Sequence, residues 1–369
     1  MTSVRQPSAK RRKFCALCGL PPSAKNKEHI LPKWLLSMTG DPNRTVWLGY
    51  DHKKKADRIF SYSSLTVPAC TECNQRFSTL ESSMKGIIES VLREQPLGRA
   101  DALLILDWLD KVRTGMWTLY YMLDDNMTGI DPLFAIEQRM GLKDRMVIIT
   151  KTSNLVEDLI YRGCNMPSFY YTPSVFSLTI NNYAFTNISS SYFLAKDLGL
   201  PYPSKVMVDN EGRLHCNLEP GSNILKSPSF ARNFPLPCTR ICQPIWKEIA
   251  GQAVRKMYDT DYARKMSLDK SIGVGVPFIE TESTLMPYPV EPTLAWRPRM
   301  GPDTTVSGYL LSRTVLEMQT AIDDHAPDLS MLGEEDRAQF EEILRTNKAF
   351  NTRTLAEVST RWANSLLRE

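Results

Sequence analysis

The chain has 369 residues, 42% apolar and 23% charged, and its net charge of +4 is uneven: residues 1–90 carry 15 Lys/Arg against 7 Asp/Glu, and the remainder 30 against 34. This is enough apolar material for two or three globular domains, and the basic front suggests contact with a polyanion. A membrane span is excluded, because the nearest apolar stretch, 103–123, is broken by Asp107, Asp110, Lys111 and Arg113; the run Phe14–Leu20 is too short for a signal peptide, so a soluble, cytoplasmic protein is expected.

In chain order, residues 1–13 read as a basic, disordered tail around Lys10-Arg11-Arg12-Lys13. Residues 14–95 form a loop-rich module that holds every sharp motif. It closes on a helix from Thr71, a suitable N-cap, to Arg93, with Phe77, Leu80, Met84, Ile87, Ile88 and Val91 at helical spacing. Residues 96–369 read as a larger accessory domain for regulation or for recognition of substrate or partner. It opens on a core-packing helix, Ala100 to Leu123. Strands follow at 146–150, 176–180 and 183–188, then a hairpin over 205–218 with its turn at Asn210-Glu211-Gly212. A helix over 245–265, a Pro-rich loop over 276–302 and a closing amphipathic helix complete the chain. Thr354-x-x-Glu357 reads as the capping box of that last helix. The fold class is α+β, a small N-terminal module joined to a mixed, helix-rich domain with a short antiparallel sheet.

The chemistry concentrates in the module. Cys15-Ala-Leu-Cys18-Gly19 and Cys70-Thr-Glu-Cys73-Asn74 are two C-x-x-C units, and together they can offer four thiolates to one tetrahedral Zn²⁺. In a chain of this size without secretory features, such pairs bind metal or do redox work more often than they form disulfides. The 51 residues between Cys18 and Cys70 must hold folded structure, and within them lies Glu28-His29 in "NKEHILPKW". An imidazole takes a proton from water near neutral pH, and a carboxylate is a hard ligand for Mg²⁺ or Mn²⁺. Neighbours on a strand point to opposite faces, so a bend is needed if both are to serve one phosphate.

The order C-x-x-C, Glu-His-Ile-x-Pro, C-x-x-C-Asn over residues 14–82 resembles the HNH endonuclease family. The resemblance implies a ββα-metal finger whose ends are stapled by a structural zinc on Cys15, Cys18, Cys70 and Cys73. It implies His29 as general base, Glu28 as ligand of a catalytic Mg²⁺ or Mn²⁺, and Asn74, on the first turn of the finger's helix, as the second ligand or the holder of the metal-bound water. The implied reaction is hydrolysis of a DNA phosphodiester to a 5′-phosphate and a 3′-hydroxyl. Two departures from the family pattern stand out. Ser63-Ser64-Leu65 replaces a loop-bracing Asn, and Ser78 stands where some relatives have a His. Glu81, two turns beyond Asn74, is placed to brace the site or to pair with a basic residue, and Ser78 is a further neighbour.

Lys27, Lys33, Arg44, Lys53, Lys54, Lys55 and Arg76 are the candidate DNA contacts, which supply affinity and little sequence preference. Trp34, Leu35 and Leu36 are expected to pack under the finger. His52 beside Asp51, and a second metal site from His215-Cys216 with Cys164, Cys238 and Cys242, are weaker candidates. No P-loop or dinucleotide fingerprint occurs. Two other readings stay open: a zinc-stapled nucleic-acid binder without catalysis, and an RNase. A body far larger than cutting requires suggests a protein partner or restraining signal, an architecture that fits prophage, restriction or anti-phage defence.

Overall fold

Strand β1 (Asn26–His29) carries the Glu-His pair and lies antiparallel to β4 (Thr66–Ala69), with Asn26 opposite Ala69 and His29 opposite Thr66. Between them come the short helix α1 (Lys33–Met38) and the antiparallel ribbon of β2 (Thr45–Asp51) and β3 (Ala56–Ser61). Helix α2 (Thr71–Leu92) leaves directly from β4. The structure is a computed structural model, which describes residues 14–21, 26–51, 54–123, 144–153, 158–190, 194, 197, 202–208, 214–219, 238–243, 277–281, 284–298, 306–324 and 334–366.

Helix α2 buries Phe77, Met84, Ile87, Ile88 and Val91, the stripe that the periodicity marks out. Its N-cap is Cys70 in extended conformation, not Thr71, so the helix begins inside the second C-x-x-C and Cys73 stands in its first turn.

Helix α3 (Arg99–Leu123) follows, and the N–H of Gly98 donates to Asp101 Oδ2 at 2.8 Å at its start. Almost its whole middle is buried, charges included. It lies between the N-terminal module and a seven-stranded antiparallel sheet. The added strands are β5 (Asp144–Lys151), β6 (Leu159–Arg162), β7 (Val175–Ile180), β8 (Tyr183–Ser190), β11 (Cys238–Gln243), β12 (Phe278–Thr281) and β13 (Thr284–Pro287), in the spatial order β13-β12-β11-β5-β8-β7-β6.

Both faces of that sheet are covered. On β5, Val147 and Ile149 join the core shared with α3, while Met146 and Ile148 join the core shared with helix α5 (Gly308–Asp324) through Val315 and Met318. Two-sided burial explains why these strands read as continuous apolar runs and not as alternation. The sheet is larger than the short one expected. The core that Ile30, Leu35 and Val67 share with Trp108, Val147 and Phe176 runs unbroken from module to sheet.

The hairpin over 205–218 is present as β9 (Tyr202–Val208) against β10 (Leu214–Glu219), with Val208 opposite Leu214. Two expectations need correction. The Pro-rich region contains the β12–β13 hairpin, whose Phe278 and Ile279 bury against opposite faces of the sheet and outweigh the neighbouring prolines. The last helix, α6 (Glu334–Leu366), begins twenty residues before Thr354, so Thr354 and Glu357 lie in mid-helix. There Glu357 accepts from Arg353 Nε at 3.1 Å, an i,i+4 surface pair in place of a capping box. α6 packs on α5 and on the short helix α4 (Pro167–Tyr171). The tail 1–13 and the helix expected over 245–265 lie outside the described residues.

Candidate metal finger and Glu-His site

The four sulfurs of Cys15, Cys18, Cys70 and Cys73 lie within 4.8 Å of one another. A tetrahedral zinc with Zn–S of about 2.3 Å needs sulfurs about 3.8 Å apart, so the set is of the size that holds one ion. The local chain accounts for the gathering. Gly19 takes φ +76°, and its N–H donates to Cys15 O at 2.8 Å, closing the first turn. Ala16 N donates to Pro68 O at 2.8 Å, and Cys70 N donates to Cys15 Sγ at 3.3 Å, so the first knuckle is laid across the end of β4. Leu17, Ala69 and Phe77 pack around the sulfurs. Burial raises the Cys73 thiol. Burial also pushes Cys70 up, but the Cys73 backbone N–H and the neighbouring thiols outweigh it, leaving Cys70 below its ordinary value. Such a donor set favours a thiolate-binding cation.

From this cluster the first turn of α2 reaches β1. Asn74 Nδ2 donates to Lys27 O at 3.1 Å, the carbonyl immediately before Glu28. Its side-chain oxygen has no hydrogen bond among the described residues. Glu28 is buried, and Lys111 Nζ from α3 sits 2.5 Å from its Oε1. The same ammonium is paired with Glu81 Oε1 from α2. Lys111 therefore ties β1, α2 and α3 together at one point.

His29 ends β1, and the chain bends at Ile30-Leu31, after the Glu-His pair and not within it. Its Nδ1 is buried without a hydrogen-bond partner among the described residues. Burial lowers the imidazole pKa below its ordinary value, the Lys33 and Lys111 cations lower it further, and Glu28 opposes them. Neutral imidazole, the form that can accept a proton, is the result near neutral pH.

No match is found for the chain among protein-family models, curated proteins or solved structures.

The other expected residues are placed as follows. Lys27, Lys33, Lys54, Lys55 and Arg76 are exposed. Arg76 also reaches Cys73 Sγ at 3.6 Å, and Lys54 lies 3.9 Å from Asp51. Arg44 is committed to its own loop. It donates to Asp41 O at 2.8 Å and to Thr39 Oγ1 at 2.9 Å, and stacks 4.7 Å over the Tyr62 ring. Ser78 returns its hydroxyl to Gln75 O at 2.6 Å. Lys53 and His52 lie outside the described residues. Trp34 packs beneath the finger against Trp108, with ring centroids 6.5 Å apart. Where a bracing Asn was missing, Ser63 Oγ donates to Asn43 Oδ1 at 2.8 Å, so an amide from another part of the loop holds the turn. Among the described residues, the four-cysteine group is the one cluster of three or more His, Cys, Asp or Glu able to hold a metal, and Cys164 and Cys242 are buried thiols raised by desolvation.

Sequence reasoning missed Lys111. It was visible as one of four charges in an apolar helix, Asp107, Asp110, Lys111 and Arg113. The other three meet the sheet. Arg145 Nη1 donates to Asp107 at 2.6 Å and to Asp110 at 3.2 Å, and its Nη2 to Gln243 at 2.6 Å. Arg113 donates to Asn187 at 2.7 Å and to Asp110 at 2.9 Å.

Proposed function

We propose that the chain is a metal-dependent endonuclease of the HNH type, hydrolysing phosphodiester bonds of DNA. One observation carries the reading: the helix turn that issues from the four-cysteine cluster hydrogen-bonds the strand carrying Glu28-His29, through Asn74 Nδ2 and Lys27 O at 3.1 Å. The Asn74 amide is thereby held against the strand that carries the adjacent Glu28 carboxylate and His29 imidazole.

Zn²⁺ on the four cysteines would staple the junction. Glu28 and Asn74 supply oxygen donors suited to Mg²⁺ or Mn²⁺, which when bound would neutralise the scissile phosphate and the leaving 3′-oxygen. The protein's own part is positional. Lys111 holds one oxygen of Glu28 and leaves the other without a partner among the described residues. Asn74 is pinned through its nitrogen, so its oxygen is the atom left to serve the ion. Neutral His29 accepts the proton of the attacking water. The sheet and the α5–α6 helices exceed what cutting requires, and we assign them recognition of a partner or signal that restrains the finger, as defence against phage demands.

The test is nicking or linearisation of supercoiled plasmid in Mg²⁺ or Mn²⁺. Wild type should cut, and His29→Ala should lose about 10²- to 10⁴-fold in rate while still binding DNA. Structured RNA in place of plasmid tests the ribonuclease reading. A Glu28 carboxylate already paired with Lys111 favours the rival, a zinc-stapled nucleic-acid binder. Equal binding and no cutting by either protein would establish that rival and refute the nuclease.

A further inference from the structure

The β2–β3 ribbon is buried on one face, and the other presents three large apolar side chains beside the exposed Asp57. Val46 and Leu48 point into the core, while Trp47, Tyr50 and Ile59 are 52%, 43% and 61% exposed. Trp47 and Tyr50 are three positions apart, which on a regular strand would put them on opposite faces. The register shows why they share one. Trp47 pairs with Ile59 and Tyr50 with Asp57, so β2 holds one more residue than β3 over this stretch. Gly49, at φ +81°, accommodates that bulge, and the shift of parity turns both aromatic side chains outward. A bulge that brings two rings to solvent beside an exposed isoleucine costs solubility and adds nothing to the core.

The tryptophan is also fixed in place. Its Nε1 donates to Asp57 Oδ1 at 3.1 Å, which anchors the indole by its edge while the side chain stays half exposed. Exposed Lys54 and Lys55 lie at the ribbon's far end, and Asp51 lies 3.9 Å from both Lys54 and Arg58, so its charge is offset. Connectivity sets the ribbon's place. It is inserted between His29 and Thr66, the paired ends of β1 and β4, whereas the four cysteines gather at the opposite end of that pair.

We infer that the Trp47–Tyr50–Ile59 face is a stacking platform for unpaired bases of a nucleic-acid strand whose phosphates meet Lys54 and Lys55. The inference rests on the proposed reading for its polyanionic ligand, and the basic front of the chain supplies the complementary charge. Unpaired bases are favoured because a fixed indole presents a face, and in a duplex the faces of the bases are already stacked on one another. The ribbon would therefore select single-stranded, mismatched or end-frayed substrate.

The experiment is fluorescence anisotropy with a labelled single strand and the matching duplex, on His29→Ala protein without added Mg²⁺ or Mn²⁺, so that binding is read apart from cutting. Trp47→Ala should weaken single-strand binding roughly fivefold to a hundredfold, with a smaller effect on duplex. Trp47→Phe should recover most of the loss. Lys54→Ala/Lys55→Ala should weaken both ligands alike and flatten the salt dependence. The proposal is overturned if Trp47→Ala binds the single strand like its parent, or if Phe fails to rescue it. It is equally overturned if light scattering shows a dimer that Trp47→Ala dissolves, since the face would then serve a second copy. A wild type that cuts nothing yet binds single strands through Trp47 would sink the nuclease and leave this inference standing.

Discussion

Replacing Lys111 by Met tests the point where three elements meet. The ammonium is 2% exposed and faces side chains of Glu28 and Glu81 that are 7% and 17% exposed. Methionine keeps the bulk and removes the charge, stranding two carboxylates in a poorly solvated site. Burial already raises the Glu81 pKa, Lys111 holds it down and Glu28 pushes it up, so loss of the lysine moves it further upward. Removing one partner of a buried ion pair costs about 3–5 kcal/mol, against a total stability of about 5–15 kcal/mol. Glu81→Gln alone keeps the Lys111–Glu28 pair and an acceptor for the ammonium, so its cost should be about 1 kcal/mol. In the double variant Glu81 is no longer stranded, and its loss should fall short of the sum of the single losses by about 1–3 kcal/mol. Equilibrium urea unfolding followed by tryptophan fluorescence measures all three. Cutting per folded molecule should fall in Lys111→Met as well, because Glu28 loses the contact that fixes it. A loss below about 1 kcal/mol for Lys111→Met, or additive losses, would refute the claim that this lysine locks the junction.

Two further outcomes follow from the same structure. Purified protein should carry one zinc per chain by elemental analysis, and Cys70→Ser should lose both the metal and the protease resistance of residues 14–95, because metal binding is folding energy for so small a finger; a variant that keeps fold and activity without zinc would dismiss the staple. Burial pushes the Asp323 carboxyl up to about 7 from its ordinary 3.8, with Asn347 lowering it and Asp324 raising it. Between those values the native state holds a proton that the unfolded chain has released. Asp323 thus contributes most stability at low pH, and that contribution declines as pH rises until it levels off above about 7. Asp323→Asn cannot ionise, so its advantage over wild type should grow by a few kcal/mol from pH 4 to pH 8, read as diverging melting temperatures; parallel profiles would rule the assignment out.

What was legible in the sequence was set by local rules. The stripe of α2, the apolar runs of β5, β7 and β8, and the 205–218 hairpin all follow from periodicity and turn chemistry, and all are present. The cysteine spacing led to a real cluster because C-x-x-C on a tight turn leaves few other arrangements. What escaped depends on contacts remote in sequence. Thr354-x-x-Glu357 has the letters of a capping box, but a cap needs extended backbone at its first residue, and packing of α6 on α5 carries the helix straight through. The exposed face of Trp47 and Tyr50 could not be read by alternation, since the bulge at Gly49 reverses parity between them. Lys111 pairs with a residue 83 positions away, beyond the reach of any periodic signal.

The four charges of α3 are better understood together than singly. Asp107, Asp110 and Arg113 are satisfied by Arg145 and Asn187, on β5 and β8 in the middle of the sheet, and Gln243 on β11 in turn holds Arg145. Lys111 is satisfied on the module's side, by Glu28 and Glu81. A helix buried along both sides cannot slide or rotate without breaking one set or the other, and each break exposes an uncompensated buried charge. Apolar packing alone would tolerate small shifts of α3; directional ion pairs on both flanks do not. The orientation of Glu28 in the finger is therefore tied, through one rigid helix, to the centre of the large sheet. A partner that strained the sheet near Arg145 would be felt at the Glu-His pair, which gives the appended body a physical route by which to restrain the site.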